Sequence, residues 1–105
     1  MKKFYNYNTP WGTTEKVYLK RSSYQIDGTL AVQMLCEDGE PYTVVTIHVD
    51  EEPAGKEYAF VKSYSENAGI GEFLIENEIA KPTGRMASSG YVAIPEFKFD
   101  LSKLD

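Results

Sequence analysis

Cysteine and histidine are almost missing from this chain, with Cys36 and His48 the single examples in 105 residues. One thiol excludes an internal disulfide and a thiolate cluster for structural zinc, and one imidazole excludes metal sites built from two or three histidines. Long apolar runs are missing as well, since no window approaches the roughly 18 consecutive apolar residues that span a bilayer. The start, Met1-Lys2-Lys3-Phe4-Tyr5-Asn6-Tyr7-Asn8, has the charge of a secretory signal, but Asn and Tyr interrupt the apolar stretch of about 7 to 15 residues that should follow. A mature cytoplasmic N-terminus is the expectation, and a reducing interior fits the lone thiol. Positive charge is scarce: 11 Lys and Arg stand against 16 Asp and Glu, a net charge of −5, with a pI near 4.9. That deficit argues against direct nucleic-acid coating and against a basic membrane-surface module, both of which need excess cations.

What is present suffices for one core. A chain of 105 residues has room for a single domain over 1–105, and 42% hydrophobic with 13% aromatic content is too apolar for a disordered tail. Asp27-Gly28 and Asp38-Gly39 each separate alternating or β-branched runs, a strong hairpin signal that implies three antiparallel strands over about 14–24, 29–36 and 42–50. In the second, Leu30, Val32, Met34 and Cys36 share a face; in the third, Val45, Ile47 and Val49 point inward against Val44, Thr46 and His48. A fourth strand, Glu57 to Lys62, follows the Pro53-Ala54-Gly55 turn.

Helical spacing occurs once, from Glu66 or Gly69 to Ala80, with Ile70, Phe73, Leu74 and the Ile75/Ile79 pair as the apolar stripe and Glu72, Glu76 and Glu78 outward. Lys81-Pro82 should end it, and Lys81 to Gly90 reads as a polar connection. Tyr91, Ala93, Pro95, Phe97, Phe99 and Leu101 then alternate as one apolar face of a last strand, with Pro95 placing it at an edge or bulge. The expected fold is α+β: a four- to five-stranded, mainly antiparallel sheet with one helix packed on a face.

Charge is unevenly distributed. Eleven acidic and two basic residues between Glu37 and Glu78 give −9, which leaves +4 for the remainder. Glu37, Asp38 and Glu40 in one turn, Asp50, Glu51 and Glu52 in another, and Glu72 and Glu76 on the helix would make a focused negative field if the turns share one end of the sheet. A solvated surface that keeps a small protein soluble accounts for the same residues.

Catalytic patterns are thin. His48 stands on an outward strand position without a partner motif, and Cys36, which could pair with it as a nucleophile, shares the face of Leu30, Val32 and Met34 and reads as a buried core thiol. Gly69-Ile70-Gly71 lacks the third glycine and lysine of a phosphate loop and reads as the start of a helix. No catalytic residue, metal site or cofactor is assigned. Lys81, Thr83, Arg85, Ser88 and Ser89, among Pro82, Gly84 and Gly90, could meet a phosphate. Trp11, in the Thr9-Pro10-Trp11-Gly12-Thr13 turn, either lids the core or presents an anchor to a partner. The eight tyrosines are compatible with base stacking or an interface, and strand propensity explains them as well.

The segments Thr9-Pro10-Trp11-Gly12-Thr13, Glu37-Asp38-Gly39-Glu40-Pro41-Tyr42, Tyr58-Ala59-Phe60-Val61, Lys81-Pro82-Thr83-Gly84-Arg85, Ser89-Gly90-Tyr91, Pro95 and Phe97 to Leu101 carry a family likeness across nearly the whole chain. In them the chain resembles the small, one-domain uncharacterised proteins found on conjugative elements and prophages of gut bacteria and catalogued as a domain of unknown function. The resemblance implies accessory cargo of mobile DNA, where small acidic proteins counter host defence as anti-CRISPR or anti-restriction inhibitors; it transfers no catalytic residue.

The leading expectation is a non-enzymatic inhibitor with an acidic, partly DNA-mimicking surface at Glu37, Asp38, Glu40, Asp50, Glu51, Glu52, Glu72 and Glu76. Carboxylates two residues apart on a strand stand about 6.6 Å apart on one face, a row of charge suited to arginines that normally hold phosphates. An RNA-guided nuclease or another nucleic-acid-handling protein is the expected partner. The alternatives are a nucleotide sponge using Trp11, Thr83, Arg85 and Ser88, for which a homo-oligomer would build a larger pocket, and a structural accessory protein of conjugation.

Overall fold

The computed structural model describes residues 3–64 and 67–105, so Glu66, one of the two expected helix starts, lies outside the described residues. Its elements are β1 (Tyr5–Asn8), β2 (Thr14–Ser23), β3 (Leu30–Cys36), β4 (Pro41–Val44), β5 (Tyr58–Phe60), α1 (Ile70–Glu76), β6 (Ala80–Ser89), β7 (Val92–Phe99) and a 3-10 turn at Leu101–Lys103. The fold is α+β and mostly β, with one α-helix and every strand pair antiparallel. The strands divide between two sheets, ordered β1-β2-β3-β4 and β5-β7-β6.

Both Asp-Gly turns close hairpins. Gly28 and Gly39 take φ of 72° and 90°, a region that strains any residue with a Cβ. Each Asp side chain accepts an N–H two residues on, from Thr29 at 3.1 Å and Glu40 at 3.0 Å. The expected third strand breaks after Val44 because the Thr46 hydroxyl, not a main-chain carbonyl, takes the Val32 N–H at 3.1 Å. From there the chain leaves β3 for β5: Lys62 N donates to Val45 O and Ile47 N donates to Phe60 O. The Thr46–Val61 bridge joins the sheets on this side. On the other side Asp105 pairs with β2 through Asp105 N to Leu19 O at 2.7 Å and Arg21 N to Asp105 O at 3.1 Å.

Three expectations are corrected in the second half. The helix stops at Glu76, because Glu78 adopts φ of 57° and the Ile79 N–H folds back onto Leu74 O at 2.9 Å, a Schellman-type ending that a stripe of apolar residues does not reveal. Lys81 to Ser89 is strand β6, not a connection; as the outer strand of its sheet it tolerates Pro82, which has no N–H to offer. Pro95 stands in the central strand, opposite Met86 at the foot of a bulge where three residues, 83–85, face Glu96 alone. Strand β7 is accordingly buried on both faces. Phe97 and Phe99 enter the main core, while Ile94 joins Phe60 and Ala87 in a second cluster, and Tyr91 and Ala93 are exposed.

The main core lies between β1–β3, α1 and β7. Phe73 of α1 meets the rings of Tyr7 and Tyr5 edge-on at 5.2 and 6.2 Å, and Tyr7 meets Tyr42 at 5.9 Å. Contacts of this kind contribute about 0.5–1.5 kcal/mol each beyond the area they bury. Much of the tyrosine content is therefore core material, and β1, which supplies Tyr5 and Tyr7, is a strand the sequence pattern did not mark. Burial, then the neighbouring Tyr42, raises the pKa of Tyr7. Gly71 is buried, and a Cβ there would stand 3.4 Å from the Phe97 ring, so the start of α1 packs closely on β7.

Candidate functional site

The two acidic turns lie at opposite ends of β3, not at one end. Glu37-Asp38-Gly39-Glu40 follows Cys36, whereas Glu51 borders the depression that also contains Asp27, Thr29 and Leu30 at the start of β3. A strand of this length separates them by about 20 Å, so a single row through all the acidic turns does not exist. Gathering is real at one end. Burial raises the Cys36 thiol pKa, and Asp38, Glu15 and Glu40 raise it further, so three carboxylates act on one sulfur. Glu37 joins them, its charge partly met by Lys16 at 3.2 Å. Glu72 and Glu76, exposed on α1, border a cleft against Asn6 and Asn8 of β1. Glu15 was not among the expected contact residues; its neighbours appear only when β2 is paired with β3.

Cys36 is half-buried, not a core thiol. His48 lies at the far end of β3, about 20 Å from it by strand length, where its Nε2 meets Asp27 Oδ2 at 2.9 Å and its ring packs against Tyr24 at 5.2 Å. A Cys36–His48 nucleophile pair is thus ruled out by topology. The His48 bond first, then those from Thr29, hold Asp27 down to a pKa of about 2. Among the described residues no group of three or more His, Cys, Asp or Glu side chains is placed to hold a metal ion.

The residues expected to meet a phosphate already hold an anion of the protein's own. Glu96, 1% exposed, accepts from Thr83 Oγ1 at 2.8 Å, Ala54 N at 3.0 Å and Arg85 Nη1 at 3.0 Å. Arg85 also reaches Glu51 at 3.3 Å and lies over the Phe60 ring. This clasp ties the 50–55 loop to the β6 bulge. Ser88 is exposed on the far arm of β6 beyond the bulge, and the side chain of Ser89 lies outside the described residues. Thr83 and Arg85 are thus engaged with Glu96, while Ser88 lies on the other arm of β6.

Trp11 does not lid the core; it is 68% exposed at the tip of the β1–β2 turn. The turn is tightly tied, with Thr9 N to Thr13 O at 2.8 Å, Gly12 N to Thr9 O at 3.2 Å and the two threonine hydroxyls 2.7 Å apart. An indole held out on so constrained a loop loses little conformational freedom on meeting a partner.

These features define an α+β domain, mostly β, with a carboxylate-rich end beside a presented indole. The chain belongs to the DUF4313 family, a domain of unknown function, whose family model matches residues 18–105. No curated protein and no solved structure matches it significantly. Among the described residues no helix is long and apolar enough to cross a membrane.

Proposed function

We propose that this protein works by contact without turnover, as a mobile-element accessory protein that binds and inhibits a basic, nucleic-acid-handling protein of a host defence. The observation that supports the reading is the gathering of Glu15, Glu37, Asp38 and Glu40 around Cys36, with Glu72 and Glu76 bordering a cleft at Asn6 and Asn8 of β1. Such a field attracts the arginines and lysines that ordinarily hold phosphates, and an RNA-guided nuclease presents them along its nucleic-acid channel. Trp11 supplies the aromatic anchor that charge alone lacks, because tryptophan and arginine dominate binding hot spots and stack on one another. Asp50, Glu51 and Glu52 stand outside this surface.

The test is the affinity for an RNA-guided nuclease and the inhibition of its cleavage, measured from about 0.05 to 0.5 M salt. Charge reversal of Glu37, Asp38 and Glu40 to lysine, and separately Trp11→Ala, should each weaken binding about tenfold or more, and added salt should weaken the native protein. Binding that ignores both salt and charge reversal refutes the acidic-surface reading.

A further inference from the structure

The cationic residues of this acidic chain are not all spent on its own carboxylates. On β2 the alternation that turns Val17 and Leu19 into the core places Arg21 on the same face, in register with the fully buried Val32. Arg21 is nevertheless exposed, because the core ends there and a groove of about 470 Å³ opens between β2, the β2–β3 turn and Leu101. Lys56 lines the same groove, and neither cation makes an ion pair among the described residues. No carboxylate belongs to the described lining. Of the acidic residues nearby, Glu57 pairs with Lys98 and Asp100 caps Ser102, while Asp105 meets Arg21 through its main chain and is not part of the groove lining.

The rest of the lining suits an anion with an apolar body. Ser23, on the same face of β2 as Arg21, adds a hydroxyl to the lining. Gly28, at φ of 72°, has nothing within 4 Å of where a Cβ would stand, so a ligand can approach its backbone. Leu30 and Leu101 form an apolar floor. We infer that this groove is a binding site for a small organic phosphate, whose phosphoryl oxygens are taken by the Arg21 guanidinium and the Lys56 ammonium while its apolar part lies on Leu30 and Leu101. A planar guanidinium matches two phosphate oxygens at once, and the volume falls within the 300–1,000 Å³ range of small-molecule sites. The site is separate from the carboxylate-rich end and does not rest on the partner-binding proposal.

The experiment titrates the full chain with phenyl phosphate, and with pyrophosphate, benzoate and sulfate as comparison anions, at about 0.15 M salt so that diffuse attraction is screened. Binding is read by calorimetry and by amide chemical shifts. Phenyl phosphate should bind saturably and more tightly than benzoate or sulfate, with shifts concentrated at Arg21 to Ser23, Gly28 and Leu101. Pyrophosphate binding as tightly as phenyl phosphate would remove the apolar floor from the proposal. Arg21→Gln and Lys56→Gln should each weaken phenyl phosphate about tenfold while leaving the thermal midpoint of the free protein unchanged, because both side chains are exposed. Charge reversal at Glu37, Asp38 and Glu40 should leave it intact. Unsaturable binding, equal response to sulfate, shifts centred on Arg85, or undiminished affinity in Arg21→Gln each overturns the assignment.

Discussion

Removing the guanidinium of Arg85 with Arg85→Met takes from Glu96 its cationic partner while keeping a long side chain over Phe60. The Glu96 side chain is 2% exposed, so its carboxylate would be left with Thr83 and the Ala54 N–H as donors. Breaking a buried ion pair on one side costs about 3–5 kcal/mol. Arg85 itself is 41% exposed, which lets water replace part of the lost contact and lowers the expectation to about 2 kcal/mol. For a domain of this size that is a fall of about 10 °C in Tm. The decisive measurement is a double-mutant cycle by urea denaturation with Glu96→Met, which takes the carboxylate from Thr83, Ala54 N and Arg85 alike, and the Arg85→Met/Glu96→Met pair. Loss of both charges should cost less than the sum of the single losses by about 1–3 kcal/mol. If Arg85→Met lies within about 0.5 kcal/mol of the native protein, or the two losses simply add, the clasp does not hold the 50–55 loop to β6.

Glu78→Gly should stabilise the fold by about 0.5–1 kcal/mol, read from the shift in urea midpoint, since it relieves a left-handed backbone at the helix end; a destabilised variant contradicts the strain argument. Thr46→Val should cost about 1–3 kcal/mol by the same assay, because it orphans the Val32 N–H and the Tyr24 hydroxyl that Thr46 Oγ1 meets at 3.1 and 3.0 Å; a near-neutral result would mean the sheets are joined by other means. Asp27 has its pKa held to about 2 from an ordinary 3.8, so its contribution is full above the unfolded value and fades as pH falls from about 4 to about 2. Asp27→Asn should therefore flatten, without abolishing, the acid limb of the stability profile, because Asp100 is also lowered, chiefly by Ser102; an unchanged slope over that window contradicts the Asp27–His48 pairing.

Local signals were readable where one residue type decides the geometry. Asp-Gly at 27–28 and 38–39 placed two hairpins, and Ile70, Phe73 and Leu74 marked the buried helix face with Glu72 and Glu76 outside. Signals failed where a distant partner decides. Pro82, Gly84 and the charges of β6 look like a loop until the bulge opposite Glu96 absorbs them. One cue for that clasp was available: an acidic residue set between Ile94-Pro95 and Phe97 implies a paired buried charge. β1 had no such cue, because Tyr5-Asn6-Tyr7-Asn8 becomes a strand through pairing with 14–17 and through Phe73. The acidic end was legible as composition but not as a place, since the position of 50–52 depends on where the chain goes after Thr46.

The lacing of residues 3–5 to residues 102–103, and of Asp105 to β2, has a consequence for the order of folding. Lys3 Nζ donates to Ser102 O and the Tyr5 hydroxyl to Lys103 O, while Asp105 lies along β2. Contacts spanning almost the full sequence form slowly and reward the chain only once both partners exist. Until residues 102–105 have docked, the flank of β2 at Leu19 and Arg21 keeps its main-chain groups bare. During that interval an unpaired strand edge is open to wrong pairings, and the speed of docking is what limits them.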